Sequence, residues 1–263
     1  LSVSNGVLAL TATDGADVGT DAPVITNNNT STITMTSQSI EDINATLATL
    51  AFTGNSNYFG SDALNITIND GALQDTGSIA ITINNVADKP TVSNEILSAV
   101  DEDTQNPLGA SVSVLMDSFS DVDNDVIDGV ILTANSANSG TQGAWQYSAD
   151  SGISWSTIST SLSTSSTLWL DSSAKLRFLA VDNFYGAPGS LSFYVVDDSG
   201  TRTFTSTGSE ITSVLPSASD VSVSARSLTT TITSVDDAAV LDLETSATVA
   251  EGSTYTFGSI DLT

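Results

Sequence analysis

The densest run of chemically capable side chains is Asp121-Val122-Asp123-Asn124-Asp125, followed closely by Asp128-Gly129. Carboxylates at alternate positions of an irregular loop can turn several oxygens toward one point. Hard cations, calcium above all, take oxygen ligands at about 2.3–2.6 Å in just such loops. The run is not an EF-hand: the required loop glycine and the distal glutamate are missing, and no helical periodicity flanks it. A solvated acidic turn is the competing reading. Further acids gather where strand-rich stretches join, with Asp88 in a first connection, Asp101-Glu102-Asp103 just beyond it, and Asp236 and Asp237 in a second. Asp70 and Asp197, in Asn69-Asp70-Gly71 and Asp197-Asp198-Ser199-Gly200, stand at equivalent strand ends.

Other chemistries are excluded by what is missing. The 263 residues include no His and no Cys. That removes His-based acid–base catalysis, Ser-His-Asp and Cys-His nucleophiles, and zinc sites built on nitrogen and sulfur. Five Lys and Arg against 31 Asp and Glu give a net charge of −26. Nucleic acid and anionic membrane surfaces, which need clustered cations, are not expected partners. Hydrophobic residues make up 40% and charged ones only 14%, so a core can be built, with the acids on loops where bound ions neutralise them. No apolar run is long enough to span a membrane. The chain opens at Leu1 and reads as a piece of a longer secreted protein.

The elements that must position the acids are short strands. Leu64, Ile66, Ile68, then Ile79, Ile81, Ile83, and later Leu191, Phe193, Val195 alternate with polar residues between Gly, Asn, Asp and Ser. This is the pattern of half-buried strands in an all-β sandwich. One helix is expected from about Ser39 to Thr49, with Ile40, Ile43, Leu47 and Leu50 as its apolar stripe. Ser39 is its N-cap and Asp42 stands three residues on. Ser148-Ala149-Asp150-Ser151-Gly152-Ile153-Ser154-Trp155 fits an Asp-box hairpin turn, in which the Asp binds local backbone. Trp145, Trp155 and Trp169 read as core or turn residues rather than a carbohydrate shelf.

The chain repeats itself. Leu50, Phe52, Asn57 and Gly60 recur as Leu176, Phe178, Asn183 and Gly186 at an offset of 126 residues. Ser78–Ile83, Val86, Asp88, Val100 and Glu102 recur as Ser227–Ile232, Val235, Asp237, Val249 and Glu251 at an offset of 149. The expected domains are therefore 1–88, lacking its first strands, a larger 89–237, and 238–263, which opens a third repeat. That tail is too short to bury a core alone. It is either the start of the next repeat in a tandem array or a strand donated to the first domain of a neighbouring copy, head to tail.

The chain resembles the cadherin-like and immunoglobulin-like tandem repeats of giant bacterial RTX-type adhesins. The resemblance rests on Val3–Leu8, Ile40–Leu47, Asn57–Asp62, Asn69-Asp70-Gly71 and Val86–Pro90 in the first domain. In the second it rests on Glu102-Asp103-Thr104, Phe119–Asp123, Trp145–Ser148 and Leu176-Arg177-Phe178. It implies sandwiches joined end to end and stiffened by calcium at each junction. Carried onto this sequence, Asp62, Asp88, Asp121, Asp123 and Asp197 would serve the first junction, and Asp125 is a further metal-ligand candidate from the acidic run itself. Glu102, Asp236 and Asp237 would serve the second. The implied role is a non-enzymatic extender segment of a secreted or cell-surface adhesin, whose partners are neighbouring repeats or identical subunits head to tail. A glycan-binding adhesin module is a further alternative.

Overall fold

The period-two apolar runs form antiparallel strands in a computed structural model that describes residues 1–15, 22–37, 39–207, 209–237, 241–242, 248–254 and 261–262. The fold is all-β, with several sheets and two short helices. Leu1–Lys89 and Ser120–Val126 form one unit; Pro90–Phe119 and Ile127–Thr263 form the other.

The first unit carries β1 (Gly6–Ala9), β2 (Val24–Thr26), β3 (Thr34–Thr36), helix α1 (Ile40–Leu47), β4 (Ala51–Gly54), β5 (Gly60–Asn69) and β6 (Gln74–Ile83). Strand β1 pairs with β4, β2 with β3, and β5 with β6, all antiparallel. Val3, Leu8, Leu10, Ile33 and Leu64 are its buried core.

Helix α1 starts where expected, with the Ser39 hydroxyl accepting the Glu41 and Asp42 N–H groups. Its buried face is a different one. Asp42 and Thr46 are buried, while Ile40, Ile43 and Leu47 line an open groove with Ile68 and Leu73. The reason lies in the backbone of residues 11–15, which belongs to no strand and must find partners elsewhere. The Gly15 N–H donates to Asp42 Oδ1 at 2.6 Å and the Thr13 N–H to Thr46 Oγ1 at 3.0 Å. Asp42 therefore does not close a capping box; the Ser39 N–H donates to Ser37 Oγ instead.

The second unit holds β7 (Glu95–Ile96), β8 (Val100–Asp101), β9 (Ala110–Ser111), α2 (Val112–Leu115), β10 (Ile127–Asn135), β11 (Gly143–Ser148) and β12 (Ser156–Thr157). There follow β13 (Thr167–Asp171), β14 (Lys175–Ala180), β15 (Leu191–Asp197), β16 (Thr212–Ser213), β17 (Arg226–Thr229) and β18 (Ile232–Thr233). One sheet has the order β16-β13-β10-β15-β17-β7 and another β12-β11-β14-β9. Val130, Leu132 and Phe193 from the first sheet and Trp145, Leu176 and Phe178 from the second share one core. The Trp145 and Phe178 rings meet edge to face at 5.3 Å. The single turn of α2 was not anticipated, because four residues carry no readable periodicity.

The sequence repeat has a counterpart in backbone conformation. Asn57 and Asn183 have φ of 60° and 58°, and Gly60 and Gly186 have φ of 129° and 108°. Gly60 pairs with Ile83, and the equivalent Gly186 bridges Ile232. The strands that open the two equivalent sheets also begin on equivalent glycines. A Cβ on Gly6 would lie 2.5 Å from the Thr53 carbonyl oxygen, and one on Gly143 would lie 2.2 Å from that of Leu179. Residues 238–240, 243–247, 255–260 and 263 of the expected third repeat lie outside the described residues. Of the remainder, β19 (Leu241–Asp242) pairs antiparallel with β20 (Asp261–Leu262).

Gly6→Ala and Gly143→Ala are each expected to cost about 1–3 kcal/mol by overpacking against backbone. Gly77, where an added Cβ meets nothing within 4 Å, is the control, and Gly77→Ala is expected to be nearly neutral. Urea-unfolding midpoints of the three variants measure this.

Candidate metal centre

Residues 120–126 belong to the first unit. Within this loop Asp123 is buried and Asp121 and Asp125 are half-buried, and one carboxylate oxygen from each lies within 4.8 Å of the others. The loop is shaped by its own acids. Asp121 Oδ1 accepts the Asp123 N–H at 2.7 Å, and Asn124 between the last two acids takes a φ of 65°, which asparagine tolerates better than most residues. Asp123 Oδ2 accepts the Asp88 N–H at 2.7 Å. Two oxygens are left over: Asp121 Oδ2 and Asp123 Oδ1 are buried and accept no hydrogen bond.

A buried carboxylate oxygen without a donor is costly, and neighbouring like charges add to that cost. A divalent cation removes both penalties at once, since it supplies the missing partner and the opposite charge. The donor set is all oxygen, which suits a hard cation rather than zinc or copper. Asp121, Asp123 and Asp125 could hold a metal ion.

The other acids singled out in the sequence are engaged differently. Asp88 contributes its backbone N–H to Asp123. Asp62, on β5, accepts the N–H groups of Asn5 (2.7 Å), Ala63 (2.7 Å) and Ser4 (3.1 Å). The Asn5 N–H leads in holding its carboxyl below the ordinary aspartate value, against partial desolvation. Asp197, at the end of β15 in the second unit, is fully buried and accepts the Ser199 N–H at 2.9 Å. Glu102 is buried, and its Oε1 accepts the Val235 N–H at 2.7 Å. Asp236 and Asp237 are exposed. Among the described residues, only Asp121, Asp123 and Asp125 converge as a group of three acids.

The environments of two further carboxylates, Asp42 and Asp128, were not legible in the sequence. Asp42 is fully buried, with its Oδ1 on Gly15 and its Oδ2 accepting no hydrogen bond. Its helix position suggested a cap, and nothing local signalled the irregular backbone at Gly15 that it serves instead. Asp128 is raised above the ordinary aspartate value, chiefly by burial and then by Asp198, Asp171, Asp197 and Asp220. Of these, Asp220 is paired with Arg202. No family model, curated protein or solved structure matches this chain.

The tryptophans serve packing. Trp145 is fully buried, with its Nε1–H donating to the Gly189 carbonyl oxygen at 2.7 Å; Trp169 is nearly so, and Trp155 lies under the Arg177 guanidinium at 4.0 Å. In the Asp-box turn, Asp150 accepts the Ser154 hydroxyl and N–H and the Ser148 hydroxyl, which together lower its pKa from 3.8 to about 2.

A depressed pKa in the folded state contributes stability that is present above the unfolded value and lost as pH falls through the folded one. Asp150→Asn is therefore expected to be less stable than the unmodified chain at pH 5. The difference should shrink between about pH 4 and pH 2, the interval set by the shift from 3.8 to about 2. Denaturant titrations at stepped pH read this out.

Proposed function

We propose that the chain is a calcium-rigidified structural extender segment of a secreted or cell-surface adhesin, built of tandem β-sandwiches and without enzymatic activity. The observation that carries this reading is the loop at 121–125, where three carboxylates converge with two buried oxygens that accept no hydrogen bond. The resemblance to cadherin-like adhesin repeats supports the choice of calcium, as does a donor set made wholly of oxygen. The lack of His and Cys supports a structural rather than a catalytic role.

The mechanism is mechanical. The chain passes between its two units at 89/90, 119/120 and 126/127. A cation on Asp121, Asp123 and Asp125 would fix the loop that occupies the last two passages. Through the Asp88 N–H on Asp123 it would also restrain the approach to the first. Without the ion, repulsion among the carboxylates leaves these passages loose. Extracellular calcium modules have dissociation constants of about 10⁻⁴–10⁻³ M. At ~100-fold excess over such a constant, one site adds about 2.7 kcal/mol. No helix among the described residues is long and apolar enough to cross a membrane, so attachment to a surface would come from elsewhere in an array.

Asp123→Asn separates a metal site from a solvated acidic turn. The amide keeps an oxygen for the Asp88 N–H and removes one charge. In a chelator the variant is expected to be at least as stable as the unmodified chain. In about 10 mM calcium, ~100-fold above a constant of 10⁻⁴ M, the order should reverse, because only the unmodified chain gains up to about 2.7 kcal/mol. Small-angle scattering of the unmodified chain should show it lengthen and stiffen over the same titration. No heat of binding at millimolar calcium, together with no reversal, would sink the proposal.

A further inference from the structure

Arg177 lies on β14 between Leu176 and Phe178, which turn into the core of the second unit. Alternation puts its side chain on the opposite face of the sheet, where an arginine ordinarily reaches water. Instead it is 6% exposed. Trp155 covers one side of the guanidinium, 4.0 Å from Cζ to the ring centroid. Nε donates to Gln146 Oε1 on the neighbouring strand at 2.7 Å, and Nη1 donates to Asn106 Oδ1 and to the Pro107 carbonyl oxygen. Gly109 lets the segment 106–109 close in this way. It holds a φ of 64°, and a Cβ there would lie 2.4 Å from the Leu176 carbonyl oxygen and 2.9 Å from the Trp155 ring.

What this arginine lacks is a counter-charge. Each of its acceptors is a neutral amide oxygen, and among the described residues nothing accepts from Nη2. Nη2 is not sealed from solvent either, so its two N–H donors stay open to a ligand. Burial alone pushes the Arg177 pKa below the ordinary arginine value. Arg202 shows the contrast, since its pairing with Asp220 holds it above that value. A buried guanidinium without a carboxylate keeps a desolvation cost that neutral acceptors only partly offset. At the offset of 126 the equivalent of Arg177 is Ala51, so the guanidinium is a feature of the second unit and not of the repeat.

Arg177 lines a recess of about 320 Å³ together with Leu97, Val100, Pro107, Leu108 and Phe178. We propose that this recess binds a small organic acid, with its carboxylate on Arg177 Nη2 and its apolar part against Leu97, Val100 and Leu108. The carboxylate supplies the absent charge through charge-assisted hydrogen bonds of about 2.7–2.9 Å, roughly twice as strong as neutral ones. The apolar part covers Leu108, which is 84% exposed. The volume stands at the small end of ligand sites, about 300–1,000 Å³, which suits an acid of a few carbons. Trp155, Gln146, Asn106 and Pro107 already hold the guanidinium in place, so binding need not order it. The net charge of −26 opposes any anion at long range. At physiological salt that field is screened beyond about 8 Å, and the direct contact decides. The site is independent of the metal reading, because no acid of the loop at 121–125 takes part.

The probe is 4-methylpentanoate, titrated into the full chain in calcium-free buffer. Its binding should move the NMR signals of the Trp155 indole N–H and the Arg177 Nε–H, with a dissociation constant of about 1 mM. The amide 4-methylpentanamide, of the same shape but uncharged, should bind at least about tenfold more weakly. Acetate, with the charge but no tail, should also be about tenfold weaker. Arg177→Gln should abolish binding of the acid. Leu108→Glu places a carboxylate of the chain itself at the recess and should weaken binding about tenfold. Should Arg177→Gln fail to fold, Leu108→Glu, at an exposed position, decides the matter. Equal binding of acid and amide would overturn the proposal, as would unchanged binding in Leu108→Glu. So would the absence of any shift in either signal at about tenfold above the expected constant.

Discussion

Three carboxylates within 4.8 Å of one another repel, and the loop at 121–125 holds them there against that repulsion. Two backbone N–H groups contribute to that hold at Asp121 and Asp123, one from Asp123 within the loop and one from Asp88 near the end of the 1–89 segment. Each takes one oxygen of a carboxylate and leaves the other turned inward. Backbone donors can orient a carboxylate and offset part of its charge, but one N–H per carboxylate falls short of satisfying four lone-pair positions. A cation could meet the remaining demand, and the proposed function rests on that fit.

The rest of the acidic inventory shows why the loop is unusual. Elsewhere the acids act as acceptors that finish turns. Asp70 takes the N–H groups of Ala72 and Leu73 in the β5–β6 hairpin, Asp171 takes those of Ser173 and Ala174, and Asp62 takes three from neighbouring backbone. An all-β chain needs many such turns, and Asp is among the residues that bind their own backbone a few positions on. A net charge of −26 is therefore partly a by-product of turn chemistry. Acid density alone does not mark a metal site. The mark is a buried oxygen that accepts no hydrogen bond, and in Asp121 and Asp123 that mark coincides with convergence.

This distinction sets what could be read from residues alone. The strands were legible because Leu64, Ile66, Ile79 and Ile81 alternate with polar neighbours, and the repeat was legible because Asn57 and Gly60 keep their spacing in Asn183 and Gly186. The run Asp121–Asp125 was legible as a candidate for the same reason, a local pattern with local geometry. Whether Asp62 or Glu102 faces an ion or an N–H was not, since the donors of Ser4, Asn5 and Val235 lie far away in sequence. Helix α1 shows the same boundary. Its start was written in Ser39, but its buried face was decided by the unpaired backbone of Thr13 and Gly15, which outweighed the apolar stripe.

The unequal burial of equivalent residues carries the argument one step further. Ile79 and Leu228 are both large and apolar, and both sit on strands with equivalent partners, yet one is half exposed and the other fully buried. Nothing in their immediate sequence accounts for the difference. It arises from a segment that, for Leu228, enters the chain more than a hundred residues earlier, at Glu95. A strand edge is specified by the strand but satisfied only by its neighbour. For Leu228 the covering strand and the covered edge belong to the same unit, so the pairing joins the two ends of that unit.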